Sequence, residues 1–372
     1  MEGENKGWRV TSHNGFDGLT FEASIPPRDL GPFDCLIKIE AASVNFRDLM
    51  IANVHPPFPS HPHLNNKLTN KQRTQGTYPF LHAPNVIPGS DASGTVISVG
   101  SRVSRFKPGD NICTTFNQSH LSGSLTPSAA QTSLGGSLDG VFRTSGIFHE
   151  DGLVHMPKTL SFREAAALPC AGVTAWNMLF GLAGRTLKPG NTVLTLGTGG
   201  VSLFAVQFAI AAGATVISTT SSKEKGEKLR QLGASHVINY REDANWGATA
   251  RSLTPNGEGV DFIIEVGGAT TLSQSVAAIK IDGLIAIAGS IGSEIGTKGD
   301  PGLLSAWTSN CLVRGIAVGS RDLFEDMVRA VDARGIRPVV DEKVFKLGDL
   351  KEAYAYMARQ KNFGKVVVDC QE

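Results

Sequence analysis

The chain has 372 residues, 35 of them basic and 34 acidic, and 41% of its side chains are apolar. Single domains mostly run to about 100–150 residues, so this length points to two cores. A net charge of +1 gives no long-range attraction to phosphate backbones or acidic membranes, which argues against nucleic acid or a membrane as partner and for a small molecule.

Five cysteines, Cys35, Cys113, Cys170, Cys311 and Cys370, are scattered and odd in number, which suits a reducing compartment better than a disulfide framework. The N-terminal MEGENKGWRV has no apolar signal core, and no run reaches the roughly 18 apolar residues of a membrane span. A soluble, cytoplasmic protein is expected.

From residue 7 to 39 the chain alternates strand-like runs with turns, among them LTFEASIPP and DCLIKIEAASV. Alternation fades at Asn45-Phe46-Arg47-Asp48, where DLMIAN reads as a short helix. Residues 53–85, rich in Pro, His, Asn, Lys and Thr, form a polar insertion too long for an ordinary connection. Strand-like runs resume in GTVISVGSRVSRFKPGDNIC, and a second polar stretch covers 117–140. Up to about residue 155 these features predict a distorted antiparallel barrel. After Pro157, SFREAAALPCAGVTAWNMLF has a helical pattern, with Ser161 and Glu164 spaced as a capping box.

Buried strands and helices then alternate through VLTL, SLFAVQFAIAA, TVIST, KEKGEKLRQLG, VDFIIEV and LIAIAGS. That order predicts an α/β domain with a mostly parallel sheet covered on both faces. The end of the chain returns to VVDEKVF, an amphipathic LKEAYAYMARQ and VVVDC. The expected domains are therefore 1–157 with 330–372, and 158–329, with a cleft between them.

The sharpest motif runs from Val193 to Ser202, VLTLGTGGVS: a buried strand, a glycine turn and the start of a helix. Such a turn places backbone N–H groups at a helix N-terminus, where a pyrophosphate binds. Gly197, Thr198, Gly199, Gly200 and Val201 are the expected contacts, and Ser202 stands where the common dinucleotide pattern has its third glycine. An NAD site usually offers Asp or Glu about 20 residues beyond the first glycine. Here Thr219-Thr220-Ser221-Ser222-Lys223 occupies that region. Hydroxyls of Thr219, Ser221 and Ser222 with the Lys223 cation suit the extra phosphate of NADP; the competing reading is a polar cap for the next helix.

Taken with AASVNFRDLM, IPGSDASGTVISVG, FKPGD, LPCAGVTAWNML, LGASHVINYRED and NFGKVVV, this motif makes nearly the whole chain resemble a zinc-independent member of the medium-chain dehydrogenase/reductase superfamily, near quinone oxidoreductases and alcohol-dehydrogenase-like proteins. The resemblance implies a Rossmann doubly wound parallel sheet and a GroES-like distorted β-barrel domain. It also implies an NAD(P)H-dependent oxidoreductase, with homodimers typical of the family.

In zinc-containing relatives the catalytic ligands are Cys, His and Cys, with a carboxylate beside the His. Asn45 matches the first cysteine, Gly89-Ser90-Asp91 the Gly-His-Glu pattern, and Cys170 alone survives. One soft ligand does not make a three-ligand zinc site, and Cys113 is the only cysteine in the region of the structural zinc loop. No metal is expected from His55, His61, His63 and His82 either, since they lie in or beside the proline-rich insertion without helical ligand spacing.

Carried over residue by residue, the resemblance puts Asn45, Asp48 and Cys170 in the catalytic region and Thr174 near the nicotinamide. It puts Tyr240 and Lys223 at the adenosine-phosphate end, Gly267, Gly289 and Ser290 along the cofactor, and Ser320, Arg321, Asn362, Gly364 and Lys365 in later loops that contact the cofactor or close the site. Each has a plain structural reading beside it: Asp48 fixing the backbone near Arg47, Thr174 capping a helix, Cys170 packing in the core, Lys365 as a surface cation. Without a metal Lewis acid, hydride transfer from NADPH to a quinone, enone or other activated carbonyl is the expected chemistry. The proton donor is unassigned, Tyr78 in the insertion being one candidate. Two alternatives stand: a non-catalytic NADPH-binding scaffold and a zinc-dependent alcohol dehydrogenase.

Overall fold

A computed structural model describes residues 5–12, 14–26, 28–52, 82–289 and 301–371. Most of the insertion, with Tyr78, His55, His61 and His63, lies outside the described residues, as does Ser290. Two compact units form, Met1–Cys170 with Ser320–Glu372, and Ala171–Gly319. These divisions fall later than Pro157 and earlier than residue 330 because the flanking helices are bonded into the first unit. Ser93 Oγ donates to Phe162 O at 2.6 Å and Ser43 Oγ to Ala166 O at 2.8 Å. At the other boundary, helix Arg321–Arg334 is tied down by Arg105 to Glu325 at 2.7 Å and by Thr159 Oγ1 to Asp332 at 3.0 Å.

In the first unit a mixed sheet runs in the order Phe345–Lys346, Val367–Asp369, Asp34–Ser43, Asp91–Val99, Asn111–Thr114 and Leu153–His155, with Ser145–His149 also on Asp34–Ser43. All its pairs are antiparallel except the first. Alternation along Asp34–Ser43 turns Cys35, Ile37 and Ile39 inward, where they join Val96, Phe142, Phe148 and Tyr354 in one core. The C-terminal strand therefore completes the N-terminal sheet. Helix Phe46–Ala52 follows the long strand directly.

The second unit holds a six-stranded sheet, parallel throughout, in the order His236–Asn239, Thr215–Thr220, Thr192–Leu196, Val260–Glu265, Ile279–Ile287, Leu312–Gly315. Chain order reverses between Thr192–Leu196 and Val260–Glu265. A crevice at the carboxyl ends of strands at such a switch point is where open α/β sheets bind ligands. Every residue of Thr192–Leu196 is buried, and the buried hydroxyls of Thr195 and Ser218 satisfy each other across strands at 2.8 Å.

The helical pattern over 161–180 is realised in three pieces: Phe162–Ala165 behind the Ser161–Glu164 capping box, a π-helical turn Leu168–Gly172, and helix Val173–Phe180. Pro169, which has no N–H to give, sits inside the π-helical turn. Among the described residues no helix is long and apolar enough to cross a membrane.

Candidate functional site

In the second unit the turn after Thr192–Leu196 is shaped by what its residues lack. Gly197 has φ +73°, and a Cβ at Gly197 or Gly199 would meet nothing within 4 Å. Gly199 N-caps helix Gly200–Ala211 and brings no side chain to its first-turn amides, so those N–H groups are left for an anion. Ser202 explains its departure from glycine: its hydroxyl donates to Leu196 O at 2.6 Å and stitches the helix to the strand end. Gly197 N donates to Thr219 O at 3.0 Å and Thr219 Oγ1 lies 3.3 Å away. The buried Thr219 thus braces the turn.

Past that strand, Ser222 caps helix Lys223–Gln231, accepting from Lys225 N, so the capping reading of the hydroxyl cluster is realised for this residue. Lys223 and Tyr240 are exposed, and the exposed Glu224 lies within 3.8 Å of Lys228. Thr174 is buried on helix Val173–Phe180. The open glycine turn leaves room for the pyrophosphate of a dinucleotide, and no Asp or Glu occurs from Thr215 to Lys223.

Two supports of this region gave little signal in the sequence. Glu265, fully buried, accepts from Gly267 N, Gly268 N and Thr271 Oγ1 at 2.8, 3.1 and 2.6 Å, and from Ser275 Oγ at 2.5 Å. It fixes the turn that carries Gly267; its sole trace in the sequence is an acid closing an apolar run before two glycines. Val318 takes φ +57°, a strained conformation for a β-branched residue. Asn177 Nδ2 donates to Val318 O at 2.6 Å, and Arg314 donates to Asn177 O and Oδ1 at 3.1 and 2.9 Å. A Cβ placed on Gly289 would meet, among the described residues, Val266 O alone within 4 Å, at an ordinary contact distance of 3.5 Å.

The first unit gathers Asn45, Asp48 and Lys365, with Ser43, Ser90 and Asp91, into one buried polar network that the half-buried Cys170 joins through its backbone N–H. Lys365 is 4% exposed. Its ammonium donates to Val44 O at 2.8 Å and Asn45 Oδ1 at 2.6 Å, and lies 3.6 Å from Asp91 Oδ2. Asn45 Nδ2 donates to Ser90 Oγ at 3.2 Å, and Ser90 Oγ donates to Asp91 Oδ1 at 2.6 Å. Cys170 N reaches Asp91 Oδ2 at 3.1 Å. Burial pushes the Cys170 thiol up to about 12, the Asp91 charge adding to the effect, which makes it a poor thiolate nucleophile at neutral pH.

Asp48 accepts from Asn45 N at 2.8 Å, so the backbone-fixing reading of this residue is realised. Burial lifts its carboxyl from 3.8 to about 6 despite the opposing pull of Arg47. Arg47 lies over the Phe116 ring at 4.3 Å and donates to Leu134 O at 2.7 Å.

The remaining carried-over residues are engaged elsewhere in this unit. Ser320 caps helix Arg321–Arg334, and Arg321 pairs with Asp151 at 2.7 Å and Glu325 at 3.5 Å. Asn362 Nδ2 donates to Gly364 O at 2.8 Å, and Gly364 has φ +89°. Among the described residues no group of three or more His, Cys, Asp or Glu is placed to hold a metal ion.

Comparison with known proteins agrees with the two kinds of domain. The family model described as zinc-binding dehydrogenase matches residues 200–333, and that of the alcohol dehydrogenase GroES-like domain matches 31–158. A zinc-type alcohol dehydrogenase-like protein of Schizosaccharomyces pombe is 44% identical over 356 residues, covering 95% of this chain and 96% of that protein. The solved structure of a putative alcohol dehydrogenase from Sinorhizobium meliloti 1021 superposes with a TM-score of 0.81 at 33% identity, over 99% of this chain and 100% of that one. An NADPH-dependent alkenal/one oxidoreductase of Arabidopsis thaliana chloroplasts is 26% identical over 98% of this chain and 79% of that protein. The chain belongs to the medium-chain dehydrogenase/reductase superfamily, among its zinc-type alcohol dehydrogenase-like members, and is an NAD(P)H-dependent oxidoreductase of that class.

Proposed function

We propose that the protein is a zinc-independent, NADPH-dependent reductase of quinones, enones or other activated carbonyl compounds. The observation that carries this reading is the state of Asn45 and Ser90. Asn45 Oδ1 holds an ammonium and Ser90 Oγ gives its proton to Asp91, so both positions matched to zinc ligands are committed to hydrogen bonds. A metal cation there would also face the buried Lys365 charge at short range.

NADP(H) over NAD(H) is supported by Ser221, Ser222 and Lys223 just beyond Thr215–Thr220, with Tyr240 bonded to Thr220 O through its N–H, and by the absence of Asp or Glu from Thr215 to Lys223. The pyrophosphate is assigned to the amides of Thr198 through Val201, and the rest of the cofactor to Thr174, Gly267 and Gly289. When bound, the cofactor supplies the hydride. The chain's own work is to orient the acceptor and stabilise the oxygen that gains charge, a role suited to fixed hydrogen-bond donors in a dry site. The product's proton is assigned to water.

The free thiols suit a reducing compartment, and the cytoplasm is the proposed location. The edge strand Leu312–Gly315 carries exposed Leu312 and Val313, with Leu303, Leu304 and Trp307 exposed just before it, which supports a homodimer formed on that face.

The test is a titration of metal-analysed protein with NADPH and NADH. A panel of quinones, enones, aldehydes and ketones follows, monitored by loss of reduced-nicotinamide absorbance. Zinc-free turnover with NADPH preferred is the expected result. Stoichiometric zinc, or tight NADPH binding without turnover of any acceptor, overturns the reading.

A further inference from the structure

The buried network has a direction set by its donors. An ammonium has only donors, so the Asn45 atom 2.6 Å from Lys365 Nζ is the amide oxygen, and the amide nitrogen faces the other way. There Ser90 Oγ, its own proton committed to Asp91 at 2.6 Å, accepts from Asn45 Nδ2 at 3.2 Å. The amide is thereby clamped at both ends. One N–H of Nδ2 is spent on Ser90; among the described residues only Ser90 accepts from that nitrogen, so the second N–H is left over. Asn45 keeps 6% of its surface exposed, while Lys365 has its charge turned to Val44 O, Asn45 Oδ1 and Asp91.

We propose that Asn45 is the hydrogen-bond donor to the acceptor's carbonyl oxygen and that Lys365 is its positioning residue. The ammonium on Oδ1 fixes which way the amide faces and draws electron density from it, strengthening the free N–H as a donor, as cooperative hydrogen bonding in a low-dielectric site does. Asp91 completes the device by balancing the ammonium charge and fixing the Ser90 hydroxyl. In enone reduction the hydride enters at the β-carbon, the π pair moves onto oxygen, and the resulting enolate oxygen is what Asn45 stabilises before water protonates the α-carbon. The inference rests on the reductase reading above and specifies how its site works without a metal. It gives Lys365 a role distinct from cofactor contact.

The deciding comparison is Lys365→Met, Asn45→Ala and their combination, with NADPH affinity measured by fluorescence titration separately from turnover of an enone. Lys365→Met should leave NADPH affinity within about twofold while kcat falls about 10- to 100-fold, the range for loss of an aligned oxyanion donor. In the Asn45→Ala background it should have little further effect. Weakened NADPH binding with kcat intact at saturation makes Lys365 a cofactor contact and overturns the proposal, as do multiplicative losses in the double variant.

Because Lys365→Met strands the Asp91 charge and threatens folding, Lys365→Met/Asp91→Asn is the companion variant, expected to fold with the same low kcat. A readout independent of catalysis is solvent exchange of the Asn45 side-chain amide in protein labelled with [15N]asparagine. The Nδ2 proton held by Ser90 should exchange slowly in the wild type and about tenfold or more faster once Lys365 is removed, as expected when an ordered hydrogen bond opens. Unchanged exchange overturns the clamp even if enone reduction is confirmed. If the wild type reduces no enone while the clamp is present in exchange, it is the reductase reading that falls, and the donor role falls with it.

Discussion

The two units make their polar sites by opposite means. Around Gly197 and Gly199 the site consists of backbone and of missing atoms: no Cβ, no capping side chain, amides at the start of one helix. Around Asn45 it consists of side chains from residues far apart in the chain, with Lys365 meeting Asp91 and Asn45 through hydrogen bonds of fixed polarity. A backbone site tolerates any neighbour that leaves it open and is stable without its ligand. A buried charged site is stable only if every charge keeps its counterpart.

The difference is broken most severely at Lys365. Lys365→Met should destabilise the fold by about 3–5 kcal/mol, the usual penalty for leaving one member of a buried ion pair alone. Lys365→Met/Asp91→Asn should recover most of that loss in urea unfolding. Equal destabilisation by the single and double variants would mean that the pair contributes nothing as a pair.

Gly199→Asp should act in the reverse sense. An aspartate at an N-cap with extended φ/ψ stabilises the helix by up to about 1 kcal/mol. Its carboxylate would stand at the proposed pyrophosphate site, and on that reading NADPH affinity should drop about a hundredfold, ~2.7 kcal/mol. Stability that falls together with affinity would show the turn to be more than an open cradle.

Asp48 sharpens the comparison through pH. Its folded-state carboxyl titrates near 6 against an unfolded value of 3.8, raised chiefly by burial, so the fold prefers it protonated. This contribution to stability is greatest below the unfolded value and is lost as pH rises through the window between the two. The loss should be about 2–3 kcal/mol. Asp48→Asn keeps an oxygen for the Asn45 amide N–H and should flatten the stability profile across that window. An unchanged slope in urea unfolding at several pH values would refute the assignment.

The smallest effect is expected at Val318. Val318→Gly relieves the positive φ and, after the entropy lost by a more flexible chain, should raise stability by about 1 kcal/mol or less. A destabilised variant, read by the urea midpoint, would show that the valine side chain contributes more packing than its backbone strain costs.

The parts of this protein readable from its sequence are those whose causes are local. The strand–turn–helix of residues 193–211 is written in consecutive residues, and the capping box of Ser161 and Glu164 in four. Lys365 shows the opposite case. As a cation beside a glycine near the chain end it reads equally as a surface charge or a cofactor contact, and its burial depends on Val367–Asp369 pairing with Asp34–Ser43. Ser90 and Asp91 were visible chiefly as a degraded metal pattern, and what they do instead depends on partners at 45, 170 and 365. The Asn177–Arg314 support of Val318 left no sequence signal, because a strained φ is imposed by partners distant in the chain.

By itself the sequence determined the two kinds of domain, the alternating strands and helices of the second, and the glycine turn, since hydrophobic period and turn chemistry act over a few residues. Only the tertiary structure decided which polar side chains share one buried volume and which of their atoms donate. Burial there removes water as the alternative partner, and leaves Asn45, Ser90, Asp91 and Lys365 to satisfy one another.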